Sequence, residues 1–151
     1  MFTDDGVFEI SGYFRMAGKP EIRRILGYDV GVNARLRISD CVVNDSTVTC
    51  KLFERNDRLS ALGIDELAFQ SCQMEFAGPL LARITAVVPP TMAAGVGDRW
   101  KAFVAWAERY HKATLQDCVD AENRFIYNEM NGRTVVSLMT AWADSQRSGA
   151  A

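Results

Sequence analysis

The first ninety residues alternate between apolar and polar positions, a spacing typical of half-buried β-strands. In the first such run Phe8 and Ile10 fall on one face, and Glu9 and Ser11 fall on the other. Asn44-Asp45-Ser46 separates two further runs and is typical of a hairpin turn. The pattern predicts five strands, over residues 7–14, 34–43, 47–54, 67–76 and 80–88.

Helical patterns appear at five places. Two of them are short and cover residues 57–65, where Asp57 is expected to be the helix cap, and residues 115–121. Pro20 suits the first turn of a short helix, because its missing N–H is not needed there. A longer amphipathic helix is predicted over 100–111, and a last helix follows Asn128, a favourable N-cap, as far as residue 146. Pro89-Pro90 predicts the end of the sheet, and two glycines make residues 91–98 resemble a linker.

These elements predict an α+β fold in a single domain. A chain of 151 residues is long enough to bury a hydrophobic core of its own. We expect a strongly curved, mostly antiparallel sheet that forms a cone, an α+β barrel, covered by C-terminal helices. The domain would span residues 1–151, with the sheet over 7–88 and the helical cover over 98–146.

The charge balance does not indicate a charged partner. Seventeen basic and nineteen acidic residues leave a net charge of −2, so we expect neither nucleic acid nor a membrane surface as a partner. The sequence also contains no run of about twenty apolar residues and no apolar leader segment. These features predict a cytoplasmic protein.

The cysteines and the one histidine lack the spacing of a metal site. Cys41, Cys50, Cys72 and Cys118 are not separated by the two residues typical of zinc or redox motifs, and His111 is the only histidine. We therefore expect no metal and no cofactor. Reduced thiols fit a cytoplasmic protein, and a cross-strand disulfide between Cys41 and Cys50 is the alternative.

Two short motifs carry a family resemblance. The runs Asp4-Asp5-Gly6-Val7-Phe8-Glu9 and Gly18-Lys19-Pro20-Glu21-Ile22, with the strand order that follows, resemble the nuclear transport factor 2-like superfamily and within it the SnoaL-like group. Members usually begin with a helical hairpin that closes the concave face of the sheet, and here the chain begins at Met1. The resemblance implies that C-terminal helices close this face. It also implies a homodimer, with or without exchanged helices.

The resemblance transfers few catalytic residues. Ketosteroid isomerases would place their aspartate base at Ile10 and a second acid near Cys72, and neither residue fits. Limonene-epoxide hydrolases would place an arginine near Leu52, an aspartate near Glu54 and a third member near Pro89. Only Glu54 keeps a carboxylate, so neither mechanism is expected to apply unchanged.

Strand alternation predicts which side chains face the inside of the cone. If Phe8 and Ile10 point inwards, Glu54 does so as well, and an apolar surrounding would let it act as acid or base near neutral pH. The alternative is that Glu54 ends its strand in solvent or pairs with Arg55 or Arg58. The predicted site therefore consists of Glu54 as the catalytic residue and of Phe8, Ile10, Leu52, Gln70, Cys72 and Met74 as ligand-binding residues.

Two functions fit this arrangement. The first is a binding domain for a small apolar molecule, with the option of a metal-free acid/base isomerase, cyclase or hydrolase acting on a hydrophobic metabolite. The second is a non-catalytic dimerisation or interaction module whose cone is filled by side chains. A cavity inside the cone with Glu54 on its wall favours the first.

Overall fold

A computed structural model describes residues 1–122 and 124–148 of the predicted domain. Within these residues the chain forms seven strands and five helices. The strands are β1 (Phe2–Ser11), β2 (Phe14–Ala17), β3 (Arg35–Asn44), β4 (Thr47–Arg55), β5 (Leu67–Ala68), β6 (Ser71–Ala77) and β7 (Leu80–Val87). The helices are α1 (Lys19–Gly31), α2 (Asp57–Ala61), α3 (Pro90–Tyr110), α4 (Lys112–Gln116) and α5 (Glu129–Ser148).

The strands form one mixed sheet in the order β2-β1-β7-β6-β4-β3, and β5 also pairs with β4. The β1–β7 pairing is parallel, and the other strand pairs described are antiparallel. Register shifts interrupt the β1–β7, β3–β4 and β6–β7 ladders. Such bulges bend a strand and increase its twist, which supports a curved sheet. The predicted α+β cone is confirmed.

Helices α1 and α5 pack so closely that there is no room for a side chain at two glycines between them. A side chain at Gly31 would collide with the backbone of Glu129, and a side chain at Gly132 would approach the carbonyl oxygen of Tyr28 to 2.8 Å. The two glycines therefore allow this contact, because any other residue would force the helices apart. This packing fixes the end of α1, and with it the residues that face the inside of the cone.

Buried apolar residues form three groups. The first group lies on the inner face of the sheet and includes Cys50, Leu52, Cys72 and Ala86. The second joins α2, α3 and α5 through residues such as Phe103 and Met139. The third joins Ile25 and Tyr28 of α1, and Val32 directly after it, to the aromatic segment before α5.

Several predicted boundaries are wrong. Residues 91–98, predicted to be a linker, belong to α3, because Pro90 occupies its first turn and the helix tolerates the two glycines. The first strand begins at Phe2 rather than at residue 7. The predicted strand 67–76 is broken into β5 and β6 at Phe69-Gln70.

Helices in the described part of the chain are too short or too polar to span a membrane.

Candidate functional site

A cavity of about 310 Å³ lies between the inner face of the sheet, α1 and α2. Aromatic and aliphatic side chains make up most of its wall, as is usual for sites that bind small molecules. Of the seven site residues predicted from the sequence, the structure places six along this cavity, and they are Phe8, Ile10, Leu52, Glu54, Cys72 and Met74.

Gln70 is the predicted site residue that lies apart from the cavity. Its side chain is exposed, and its backbone N–H donates a 2.7 Å hydrogen bond to the carbonyl oxygen of Val87. The prediction assumed unbroken alternation over 67–76. The break between β5 and β6 shifts the phase, so Leu67 and Phe69 face inwards before it, and Cys72 faces inwards after it.

The polar groups of the cavity gather at one end. This end forms where β4 finishes, α2 begins and α1 finishes, next to the segment that precedes α5. The other walls are mainly apolar. Apart from Tyr13, which is half exposed, the polar residues that line the cavity are Tyr28, Asp29, Glu54, Asn56, Arg58 and Tyr127.

Asp29 is the most strongly perturbed acid of this group. Burial raises the pKa of its carboxyl group from the ordinary value of 3.8 to about 7. The negative charge of Glu54 acts in the same direction, and the positive charge of Arg58 acts against it. Asp29 is therefore present in both its protonated and its ionised form near neutral pH, as an acid or base of a proton transfer requires.

Asn56 holds Glu54 in place. The side-chain amide of Asn56 donates a 2.5 Å hydrogen bond to Oε1 of Glu54, and its Oδ1 accepts a 2.7 Å hydrogen bond from the backbone N–H of Leu59. The second bond makes Asn56 the N-cap of α2. One buried side chain thus fixes both the start of the helix and the carboxylate beside it.

Arg58 places a positive charge at the wall of the cavity, and one of its hydrogen-bond donors is not satisfied by the described part of the chain. Its Nε is buried and has no hydrogen-bond partner in the described part of the chain. Its guanidinium lies 6.0 Å from the centre of the Trp100 ring and also interacts with Tyr28, whose pKa is raised mainly by burial. A buried donor without a partner is costly, so a ligand oxygen at this position would be favoured.

Two tyrosines complete the polar end. The rings of Tyr28 and Tyr127 meet edge to face with their centres 5.3 Å apart. Burial raises the pKa of Tyr127, so its hydroxyl stays protonated at neutral pH. Each hydroxyl is therefore a hydrogen-bond donor as well as an acceptor.

Exposed apolar side chains surround the opening of the cavity. Leu36 is 59% exposed, Ile38 is 52% exposed and Leu26 is 44% exposed, yet all three line the cavity. The opening thus lies between α1 and β3. A hydrophobic molecule would meet apolar surface before it reached the polar end.

Sequence reasoning overlooked Asp29, Asn56, Arg58 and the two tyrosines. Asp29 follows Ile25 by four residues and Ile22 by seven, so it lies on the apolar stripe of α1. A carboxylate on the buried face of a helix is the signal that could have identified it. The position of Arg58 depends on Asn56 as the helix cap, whereas the pattern favoured Asp57 for that role.

Two comparisons of the sequence find no match. No protein-family model matches it, and no curated protein matches its sequence.

Comparison with solved structures identifies the fold. The LEH-like epoxide hydrolase of M. tuberculosis is 15% identical, with 69% of this chain and 77% of that chain covered and a TM-score of 0.51. SalBIII, an epoxide hydrolase/cyclase-like enzyme with a role in pyran ring formation in salinomycin, is 11% identical over 60% of this chain and 74% of its own, with a TM-score of 0.51. The chain has the nuclear transport factor 2-like fold.

A further structure of this fold comes from Catenulispora acidiphila. It is a hypothetical protein with a ketosteroid isomerase-like fold in complex with trimethylamine. It is 13% identical, with 64% of this chain and 76% of that chain covered and a TM-score of 0.51. The nuclear transport factor 2-like fold predicted from the two N-terminal motifs is thus confirmed.

Proposed function

We propose that the cavity binds a small hydrophobic molecule and that Asp29 and Glu54 transfer protons to and from it. The observation that carries this proposal is the position of Asp29, an acid with a pKa of about 7, on the wall of an apolar cavity of about 310 Å³. Such a carboxyl group can give or take a proton at neutral pH without a metal ion.

The two carboxyl groups have different surroundings, which suits them to different roles. Asp29, in its protonated form, would donate its proton to an oxygen of the ligand. Glu54, whose Oε1 accepts the hydrogen bond from Asn56, would act as the base that takes a proton from a carbon atom or from water. Acids and bases held in different environments are a common arrangement in enzymes that work at neutral pH.

Arg58 and the tyrosines would bind the polar end of the ligand. The buried Nε of Arg58 lacks a partner among the described residues, so it favours a ligand with an oxygen that accepts a hydrogen bond. The apolar walls would hold the rest of the molecule. Isomerase, cyclase and hydrolase reactions all fit this plan, and two of the structurally similar proteins are described as epoxide hydrolase or epoxide hydrolase/cyclase-like enzymes.

A binding measurement with matched probes tests the proposal. Acetonaphthone carries a ketone oxygen, and ethylnaphthalene has nearly the same shape without it. We expect both to bind, with acetonaphthone about tenfold to a hundredfold tighter because of the hydrogen bond from Arg58. In the variant Arg58→Met this difference should become smaller, because Asp29 and the tyrosines alone would then bind the ketone oxygen.

Two further variants test whether the probes bind inside the cavity or on the surface of the protein. Met74→Trp would fill the cavity and should weaken the binding of ethylnaphthalene about tenfold or more, whereas Thr49→Trp on the exposed side of β4 should leave it unchanged. If neither probe binds to the unmodified chain, the cavity is not a binding site. The alternative, a non-catalytic interaction module, would then be favoured.

The homodimer remains a proposal with one supporting observation. Val43 of the edge strand β3 is 70% exposed, and it lies on the same face of that strand as Leu36 and Ile38 at the opening of the cavity. Apolar patches of this kind are typical of interaction sites. Sedimentation of the unmodified chain should show a dimer that Val43→Lys converts to a monomer, and a monomer at all concentrations would contradict the proposal.

A further inference from the structure

Three of the four cysteines lie side by side on neighbouring strands. Cys50 of β4 is the direct cross-strand partner of Cys72 of β6. Cys41 lies on β3, the strand on the other side of β4. Cys50 therefore has a cysteine on each of its two neighbouring strands, although the sequence separates Cys41, Cys50 and Cys72 by many residues.

A bulge in β3 brings Cys41 to the level of Cys50. The residues before and after Cys50 in β4 pair with Val42 and Ser39 of β3, and the register shifts between them. Asp40 and Cys41 therefore both lie opposite Cys50, as in a bulge, where two residues oppose one. Asp40 has a φ of 52°, which allows the local bend.

The distances between such positions are within reach of a disulfide. Residues directly opposite each other in antiparallel strands have Cβ atoms about 4.5–5.5 Å apart. A disulfide requires a Cβ separation of about 3.5–4.5 Å, so a small movement of β3 towards β4 at the bulge is sufficient. The thiols already influence one another: burial raises the pKa of Cys50 to about 12, and the neighbouring Cys72 and Cys41 contribute to this increase.

Access to solvent differs among the three thiols. Cys41 is exposed, whereas Cys50 and Cys72 are buried. A soluble oxidant would meet Cys41 first and the buried thiols only after it. Cys72 also lines the cavity, so chemistry in this row lies close to the proposed binding site.

We propose that Cys41 and Cys50 form a site at which peroxide oxidises two thiols to a disulfide. The Cys41 thiolate attacks one oxygen of hydrogen peroxide, the O–O bond breaks, and a sulfenic acid and hydroxide form. The Cys50 thiolate then attacks the Cys41 sulfur and displaces its oxygen, which leaves as water after protonation. In total the two thiols lose two electrons and two protons, and one peroxide is reduced to two water molecules.

The buried position of Cys50 determines the speed of the second step. Its pKa of about 12 means that few molecules carry a Cys50 thiolate at neutral pH. At pH values below this pKa, the fraction of Cys50 present as thiolate increases about tenfold for each unit by which the pH is raised. The sulfenic acid of Cys41 should therefore persist at pH 7 and disappear faster as the pH is raised.

Peptide mapping of the full chain under non-reducing conditions tests the site. After treatment with hydrogen peroxide at pH 9, we expect the unmodified chain to lose two free thiols and to contain a disulfide between Cys41 and Cys50. The variant Cys118→Ser should behave in the same way, because Cys118 lies outside this row and donates its thiol hydrogen to the carbonyl oxygen of Thr114.

The remaining variants separate the two steps. Cys41→Ser changes an exposed residue, so the chain should fold and should form no disulfide within one molecule. Cys50→Ala should stop the reaction at the sulfenic acid of Cys41, which dimedone would label. A disulfide that joins Cys41 residues of two chains, a Cys50–Cys72 disulfide, or no loss of thiols at pH 9 would each overturn the proposal.

Discussion

Asp29 and Glu54 face the same cavity, and the negative charge of Glu54 increases the affinity of Asp29 for a proton. Asp29 comes from the last turn of α1, and Glu54 comes from the end of β4. The last turn of a helix carries the negative end of its dipole, and α1 has no basic residue there to offset it. The fold thus brings together two acids that the sequence separates by 25 positions.

The raised pKa of Asp29 should make stability depend on pH. The folded chain holds a proton on Asp29 up to about pH 7, whereas the unfolded chain releases it near 3.8. The folded state therefore binds more protons over this range, so the free energy of unfolding falls as pH rises from about 4 to about 7. Above that range this contribution no longer changes.

Replacing Asp29 by Asn should remove this decrease in the free energy of unfolding at higher pH. We expect the gain in unfolding free energy from Asp29→Asn to be about 2 kcal/mol larger at pH 8 than at pH 4, measured by urea denaturation. This is roughly half of what the full pKa shift would give, because solvent screens a partly exposed carboxyl group. The control Asp65→Asn changes an exposed aspartate, and equal pH slopes for both variants would contradict the account.

Proton transfer should be visible on a simple ketone. In deuterated water, the chain should accelerate the exchange of the methyl hydrogens of acetonaphthone, with Asp29 protonating the oxygen and Glu54 taking the hydrogen from carbon. We expect both Asp29→Asn and Glu54→Gln to lower the rate about a hundredfold.

The pH dependence of this exchange has a defined sign. The acid form of Asp29 is lost as pH rises through about 7, so the rate that depends on the protein should fall above that pH. Mass spectrometry of the recovered ketone measures the rate. A rate that continues to rise up to pH 9 would show that Asp29 is not the acid.

The contact between α1 and α5 should tolerate no added methyl group. Gly31→Ala and Gly132→Ala place a Cβ against the backbone of the other helix, and we expect each to lower the free energy of unfolding by about 2–4 kcal/mol. Gly95→Ala is the control, because nothing lies within 4 Å of its added Cβ and alanine favours a helix. It should leave stability unchanged or raise it by up to about 1 kcal/mol. Equal effects at all three positions would contradict this packing.

Local patterns predicted the frame of the fold well. Alternation indicated β3 and β4 to within one residue, because each strand has one inner and one outer face. Asn128 was also predicted correctly, since its Oδ1 accepts a 2.8 Å hydrogen bond from the backbone N–H of Asn131 at the start of α5. Where alternation was interrupted, as before Gln70, the predicted face of the side chain was wrong.

The candidate site could be predicted only in part. The apolar wall follows from strand alternation, which is a local property. The polar end depends on contacts between α1, α2, β4 and the segment before α5, and no local pattern specifies how these elements meet. Arg58 reaches the cavity because Asn56, and not Asp57, caps α2. Of these polar residues, only Asp29 could have been identified from the sequence, because it is a carboxylate on the apolar stripe of a helix.

Measuring the pKa of Asp29 shows directly whether the cavity contains an acid that titrates near neutral pH. Its carboxyl carbon can be followed by NMR as a function of pH in the unmodified chain and in Glu54→Gln. We expect a midpoint at about 7 in the unmodified chain and a lower midpoint in the variant, where one neighbouring negative charge is missing. A midpoint near 3.8 in the unmodified chain would contradict it.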